Sequence, residues 1–543
     1  MRGKGRARGK GMLALCLAAC LALSGIPGFA SGSGDAVDQK LAAAMVDLDS
    51  RRERALLIGF DDFVSKPSTY PSSTNNVYAM QETFQEASKP LETLLIPQDP
   101  ITDASTLTAL IQDTFGDADE DDVSYLYIST HGVYDPGGRE EPALLLSDGR
   151  REGRITPAQL EEAFEGIQGI KVIWLDACNS GAFIGKGQAV QPQQVHFLGK
   201  DFKVLTSSGA LEESWYWSAA GMGEGEEPQA RDAGMGKNVQ SKASPQGAFY
   251  FTQTLSQGLG PRYGYPADSN RDGLVTLSEL YEYLLQNHAA STPQVYPQQD
   301  SFVVFHYDVQ APLPEGMERS PVLDVTFSGT MLDLQNQQIT LEYIVTRPIR
   351  VAYQIVPQRD GKWRFDEAQL LYDDVERFTA FGDQAGAVSA GRKVRTLAIR
   401  LGEESSYGYV MVQLVSIDKG RLTVHAGRVL CVPPAQGELQ LQVDVGKRYR
   451  AGDAQEMSIF VEHAYPCALS VAVVNSRDEV VRRLCHRRST RPTQTDPAGS
   501  LFYWDGTDKN GDPLPPGEYR IRASGMINQL TFTVVSEVVT IGS

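Results

Sequence analysis

The sequence predicts an α/β domain with a mostly parallel sheet and helices on both faces, followed by two all-β, Ig-like sandwich modules. Three observations carry that expectation. Short apolar runs at residues 55–60, 123–129, 172–175 and 202–208 end abruptly in small or polar residues, as strands buried on both faces do. Segments with helical spacing separate them. Past Ala311-Pro312-Leu313-Pro314, helical spacing gives way to period-two runs such as ITLEYIV, VRTLAIRL and YGYVMVQLVSI.

At 543 residues the chain is too long for one core, and two to four domains are expected. A formal net charge of −18 argues against a nucleic-acid binder, which needs a basic face. It is compatible with basic peptides as ligands, although many secreted proteins are acidic simply for solubility.

In chain order, MRGKGRARGKG is a basic n-region and MLALCLAACLALSGI an apolar core, with GFA ahead of SGSG offering cleavage after Ala30. Residues 1–30 therefore read as a secretory signal peptide. The Leu17-Ala18-Ala19-Cys20 tetrad offers a lipoprotein reading with Cys20 lipidated; either way the protein is expected to be secreted or held at the cell surface. ALLIGF at 55–60 is a first strand, residues 77–84 a helix and TLLI at 93–96 a second strand. Leu107, Leu110, Ile111 and Phe115 lie at helical spacing behind a capping Asp103. A third strand, 123–129, ends on His131-Gly132. After a hairpin-like insert, residues 155–167 read as a helix with Thr156 as cap and Pro157 at its first position. KVIWLDACNSG comes next, then a strand at 202–208 and a helix at 247–257. Residues 220–246, rich in Gly, Glu, Gln and Ser, read as an exposed, mobile loop. This assigns 49–310 to the α/β domain and 320–432 and 433–543 to the β modules, with a seam near Pro433-Pro434.

The chemistry-bearing residues close the two central runs. In open α/β sheets reactive groups sit beyond the carboxyl ends of the strands. His131 and Cys178 delivered to neighbouring strand ends would form a base–nucleophile pair. A thiol with an ordinary pKa of about 8.5 needs such a base near neutral pH. The backbone N–H groups of Gly132 and Cys178 are candidates for an oxyanion site, and glycine at 132 permits close approach.

STHG and LDACNSG resemble the His-Gly and Asp-x-Cys-x-Ser-Gly boxes of the caspase-like cysteine peptidases (metacaspase, clostripain, gingipain and legumain relatives). The resemblance covers residues 50–306, from RALLIGF to the TPQVYPQ tail at 292–298. It implies a caspase-like fold and a dyad of His131 and Cys178, with no cofactor for catalysis. In metacaspase- and clostripain-like members the Asp two before the Cys lines the specificity pocket, so the resemblance implies that Asp176 selects Arg or Lys. A carboxylate pairing with guanidinium gives this a physical basis; the competing reading is that Asp176 orders its own loop. Thr206, Ser207, Ser208 and Glu212 or Glu213 are further pocket candidates. Substrates would be proteins or peptides with basic residues, and Arg231, Lys237 and Lys242 make 220–246 a candidate for self-cleavage. The competing class of function is a catalytically silent caspase-like scaffold or binding protein at the cell surface.

Residues 268–279 match D-x-N-x-D-G-x-x-T-x-x-E, the EF-hand calcium loop. Asp268, Asn270, Asp272 and Glu279 would supply side-chain oxygens, Leu274 a carbonyl and Thr276 a water contact. Pro261 and Pro266 deny the loop an incoming helix, so it resembles the half EF-hands of dockerin-like proteins, holding a structural Ca²⁺. Trp504 to Asp512 (WDGTDKNGD) with LPPGEY at 514–519 resembles the Ig-like repeat of flagellar hook-capping proteins, with Trp504 and Tyr519 in its core and Asn510-Gly511 in a hairpin turn. Cys467 and Cys485 are nearly equidistant from the turn at 475–478, so they would face each other across a hairpin and oxidise outside the cell, or pack unbonded in a β core. Cys431 reads as buried and inert. No phosphate-binding glycine loop, Cys/His zinc spacing or G-x-S-x-G elbow occurs.

Overall fold

All seven residues of VSYLYIS are buried, which only a strand covered on both faces allows. The computed structural model describes residue 48 and residues 50–543, apart from 136–139, 187–195, 198, 219–228, 233–246, 289, 299, 330–331, 333–337, 360–361, 374–386, 400–407, 419–420, 433–440, 446–447, 451–455, 466, 491–497, 528–529 and 543. The signal peptide, Cys20, Lys237 and Lys242 and the side chain of Cys431 lie outside the described residues. The chain divides into two units, Met1–Arg51 and Arg52–Ser543. All the described strands belong to the second unit.

The first half of this unit runs β1 (Glu53–Gly59), α1 (Ser72–Gln85), β2 (Thr93–Leu95), α2 (Ala104–Phe115), β3 (Val123–Ser129), β4 (Gly132–Asp135), β5 (Glu140–Ser147), β6 (Glu152–Ile155) and α3 (Pro157–Glu162). Then come β7 (Ile170–Asp176), β8 (Phe202–Thr206), β9 (Trp215–Ser218), β10 (Gln229–Asp232), β11 (Gly247–Phe249) and α4 (Tyr250–Gly258). Last are β12 (Leu274–Thr276), α5 (Leu277–Asn287), β13 (Gln294–Tyr296) and β14 (Val303–His306).

The main sheet has the order β13-β8-β7-β3-β1-β2. Its strands are parallel except β13, which runs antiparallel along β8. Alternate residues enter opposite cores, as a period of two requires. Leu56, Leu126 and Ile173 pack with Leu107, Ile111 and Phe115 of α2 and Leu160 of α3. Leu57, Tyr127 and Trp174 pack with Met80 and Phe84 of α1, Leu255 of α4 and Leu280 of α5. The sheet is therefore covered on both faces, as expected.

The helix starts follow their caps. Asp103 accepts from Thr106 N at 2.9 Å, and Thr156 and Thr276 each form a capping box with Gln159 and Glu279. Two helices are shorter than their spacing suggests. α3 stops at Glu162, and Gly166 is left-handed (φ 81°) shortly beyond it. α4 begins only at Tyr250, because 247–249 pair with β9. Within 220–246, residues 229–232 also pair with β9 instead of looping freely, which puts the backbone of Arg231 in a strand.

After β14 the described regular elements are strands, apart from one short 3₁₀ turn at Phe365–Glu367. In 320–432 a sheet of Val322–Phe327, Gln338–Val345 and Gly391–Ala398 faces one built on Arg350–Arg359, Gly408–Asp418 and Arg421–Val432. Leu341 and Tyr343 of the first meet Val351, Val410 and Leu414 of the second in one core. In the C-terminal module Ile459, Phe502 and Trp504 of one sheet meet Leu469, Val471 and Ile521 of the other. Trp504 and Tyr519 are core residues there, and Gly511 takes a left-handed φ of 82° in its turn.

Cys467 and Cys485 do not face each other. Cys467 is opposite Thr490 and Cys485 opposite Val471, and each remains a thiol. Irregularities in the ladder at 469–474 shift the register that an unbroken hairpin would keep.

Candidate active site

The parallel pairing of β3 with β7 sets Ser129 opposite Asp176, and Thr130 N donates to Asp176 O at 3.1 Å. Continued by two residues, that register brings His131-Gly132 alongside Cys178. The approach is close: a Cβ on Gly132 would lie 1.7 Å from the carbonyl oxygen of Cys178. Only glycine fits there.

His131 is 3% exposed, with Phe63 edge-on at 4.5 Å between ring centroids. Its Nε2–H donates to Pro67 O at 2.9 Å, which leaves Nδ1 as the ring's lone pair. Burial holds its pKa down to about 4, against the Pro67 bond, which acts the other way. The imidazole is therefore a neutral base at neutral pH. Two carboxylates brace the loop that carries Pro67. Asp61 accepts from Ser73 N and Thr74 N, both at 2.9 Å, and from Thr69 Oγ1. Glu152 accepts from Val64 N at 2.8 Å, Ser65 N at 3.1 Å and Ser65 Oγ.

Cys178 is half-buried. Ser214 N donates to its Sγ at 3.3 Å, and Sγ lies 3.6 Å from Ser214 O. The turn after β7 passes through a left-handed Asn179 (φ 57°), and Asn179 N donates to Glu212 O. Ser207 Oγ accepts from Ala177 N at 3.0 Å, and Ser208 Oγ donates to Ala177 O at 3.0 Å. These two serines, expected as pocket lining, clamp the turn that presents Cys178. Thr206 Oγ1 donates to Ser208 O. The carboxylate of Glu212 accepts from Thr292 N at 2.9 Å and Gly209 N at 3.2 Å, tying down the TPQVYPQ segment.

Asp176 is fully buried. Its Oδ1 accepts from Ser214 Oγ at 3.0 Å, and its Oδ2 from Thr252 Oγ1 at 2.6 Å and Thr252 N at 3.3 Å. Burial raises its pKa to about 6 against these donors. Ser214 thus touches both Cys178 and Asp176. Ser214, Thr252, Pro67 and Glu152 do not emerge from sequence reasoning. Ser214 does precede the aromatic run Trp215-Tyr216-Trp217, a strand signal close to the site, whereas a backbone carbonyl such as Pro67 O leaves no signal in side-chain chemistry.

The 268–279 loop lies apart from these residues in the chain, ahead of α5. Arg271 (φ 62°) and Gly273 (φ 88°) are left-handed, which coils the loop tightly. Asp268 accepts from Arg271 N, Gly273 N and Tyr307 Oη. Asp272 accepts from Leu274 N at 2.8 Å, and its pKa is raised by burial and by the like charges of Asp268 and Glu279. Glu279 turns back onto Thr276 N and Ser269 Oγ. Among the described residues no three His, Cys, Asp or Glu side chains form a metal-holding group. The all-oxygen donor set and the coiled backbone fit a hard cation; the inward turn of Glu279 does not supply its ligand in this form.

Residues 35–202 match the CHAT domain family, a caspase-like domain. No curated protein matches the chain. Among solved structures it is similar to dimeric latent PorU from Porphyromonas gingivalis, at 15% identity and a TM-score of 0.17. That likeness covers 38% of this chain and spans only 18% of PorU. Protein GSU0716 from Geobacter sulfurreducens gives 11% identity, a TM-score of 0.29 and coverage of 45% and 92%. Caspase-1 from Spodoptera frugiperda gives 12% identity, a TM-score of 0.26 and coverage of 45% and 87%. Scores of this size carry no argument about function. The matched stretch holds both His131 and Cys178, just past the ends of the two central strands, β3 and β7.

Proposed function

We propose that the protein is a secreted or surface-held cysteine endopeptidase that cleaves after Arg or Lys, with Cys178 as nucleophile and His131 as base. The observation that carries the proposal is the tautomer of His131: Nε2–H is committed to Pro67 O, so Nδ1 is the basic atom, one matched strand end from the thiol. Nδ1 takes the proton of Cys178 as sulfur bonds to the substrate carbonyl carbon. The backbone N–H groups of Gly132 and Cys178 hold the oxyanion, an interaction typically contributing ~3–4 kcal/mol. The C–N bond then breaks as His131 gives its proton to the leaving amine. Water, deprotonated by His131, splits the thioester, releasing acid and restoring the thiol.

Asp176 supplies the preference for a basic side chain: its charge sits beside Ser214 and Thr252, the hydroxyls a guanidinium would have to share or displace. Loop 268–279 would hold a structural calcium ion outside the chemistry through Asp268, Asn270, Asp272 and the Leu274 carbonyl, with Glu279 joining them once its carboxylate leaves Thr276 N and Ser269 Oγ. The C-terminal module, 433–543, is an Ig-like repeat serving surface attachment.

The test is covalent. The full-length protein is treated with a peptidyl-arginine acyloxymethyl ketone and digested for mass spectrometry. The expected result is one adduct, on Cys178, and its loss in His131→Ala. Labelling of Cys178 at an unchanged rate in that variant, or labelling of Cys467 and Cys485 equally, contradicts the proposal.

A further inference from the structure

The first β module is packed onto the α/β domain beside the candidate active site. Trp215, which follows Ser214, and Tyr250, the first residue of α4, share a buried cluster with Ala352, Trp363, Phe365, Tyr409 and Met411 of the module. Phe365 stacks on Tyr250 at 5.8 Å and is tilted against Trp215 at 5.3 Å. Polar bonds frame the contact. Trp363 Nε1 donates to Ala290 O at 3.0 Å, and Gln253 and Gln257 of α4 donate to Val424 O.

The two residues that Phe365 touches are one and two positions from the groups that hold the site. Ser214 bonds both Cys178 Sγ and Asp176 Oδ1, and Thr252 bonds Asp176 Oδ2. The residue just before β9 and the start of α4 thus carry site donors, one and two positions from the rings that Phe365 touches. A buried aromatic wedged between two elements fixes their spacing, because protein interiors are too dense to let one side chain move alone.

We infer that Phe365 is a positioning residue for the active site: the first β module, through this ring, sets where Ser214 and Thr252 stand relative to Cys178 and Asp176. The module is then a part of the catalytic architecture as well as an appendage. This inference rests on the peptidase reading, and its test separates the two. The full-length protein is compared with Phe365→Ala, Phe365→Tyr and Val351→Ala. Val351 is a buried core residue of the same module that does not belong to the shared cluster, so it weakens the module without removing the wedge. Two readouts are taken: kcat/KM on an arginyl-aminomethylcoumarin peptide, and backbone hydrogen exchange over 212–218 and 248–254.

Phe365→Ala is expected to lower kcat/KM on the order of tenfold or more and to speed exchange in both segments. Phe365→Tyr retains both near wild type, and Val351→Ala lowers the melting temperature while leaving both unchanged. If Phe365→Ala and Val351→Ala behave alike in exchange and rate, the positioning role is wrong. If the wild type cleaves nothing, the peptidase reading falls, and exchange over 212–218 still decides whether Phe365 orders β9.

Discussion

A Cβ placed on Gly132 would stand 1.7 Å from the carbonyl oxygen of Cys178, so the backbones carrying the imidazole and the thiol are in direct contact. The nearest atoms to that Cβ are backbone, which cannot step aside as a side-chain tip would. Gly132→Ala is expected to force β3 and β7 apart beyond their ends. It should destabilise by about 2–3 kcal/mol or more and reduce kcat/KM by at least ~100-fold. Urea unfolding and kinetics on the same preparation check this; a wild-type rate would mean the strand ends do not pack this way.

The titration of Asp176 gives a pH signature. Burial raises its pKa from 3.8 to about 6, so the folded state holds this proton more tightly than the unfolded chain. Its contribution to stability is full below pH 3.8 and is lost as pH rises through about 6. His131, lowered from 6.5 to about 4, acts oppositely: its contribution is present above 6.5 and lost as pH falls through about 4. Asp176→Asn should remove the first effect alone, leaving stability rising with pH over that range. In kinetics, the acid limb of kcat/KM for arginyl substrates should lie near pH 6 and move towards 4 in Asp176→Asn. An unmoved limb would exclude Asp176 from substrate binding.

Glu152 holds the loop that carries Pro67 O through Val64 N, Ser65 N and Ser65 Oγ. Glu152→Ala is expected to free that loop and lose the fixed tautomer of His131. The result should be a fall in kcat on the order of tenfold with KM little changed. Glu152→Gln, which keeps one acceptor oxygen, should recover part of it. A change confined to KM would argue against action through His131.

Lys186 is buried against Glu456 of the C-terminal module, with Val295 O at 2.6 Å and the Tyr503 ring at 4.6 Å. Glu456→Ala strands this ammonium and should cost about 3–5 kcal/mol in chemical unfolding. Glu456→Ala with Lys186→Met should regain most of that. Equal loss in the single and double variants would show that the packing, and not the charge, is what matters.

Calcium at ~10 mM is expected to raise the melting temperature by about 2–4 °C, with magnesium ineffective. Glu279→Gln should abolish the rise. A shift unchanged in that variant would place the ion elsewhere.

Much of this was legible in the residues themselves. Two-sided burial left continuous apolar runs at β1, β3, β7 and β8, and Asp103 and Thr156 marked helix starts by their carboxylate and hydroxyl oxygens. His131 and Cys178 stood out because polar side chains closed those runs. What was hidden is what long-range packing decides. The three residues of β13 carry no sign of which strand they will join, nor do 229–232, which read as loop. Bulges moved Cys485 away from Cys467 without a mark in the apolar pattern. The hold on His131 comes from a carbonyl, and the partners of Asp176 come from residues far along the chain, so spacing could not announce either.

The most direct measurement is hydrolysis of Arg- and Lys-aminomethylcoumarin peptides by the full-length wild type, Cys178→Ala, His131→Ala and the double variant, with and without calcium. Turnover should appear in the wild type and fall on the order of a thousandfold in each single variant, with no further loss in the double. No turnover by the wild type in either condition, or the same rate in all four proteins, would contradict the account.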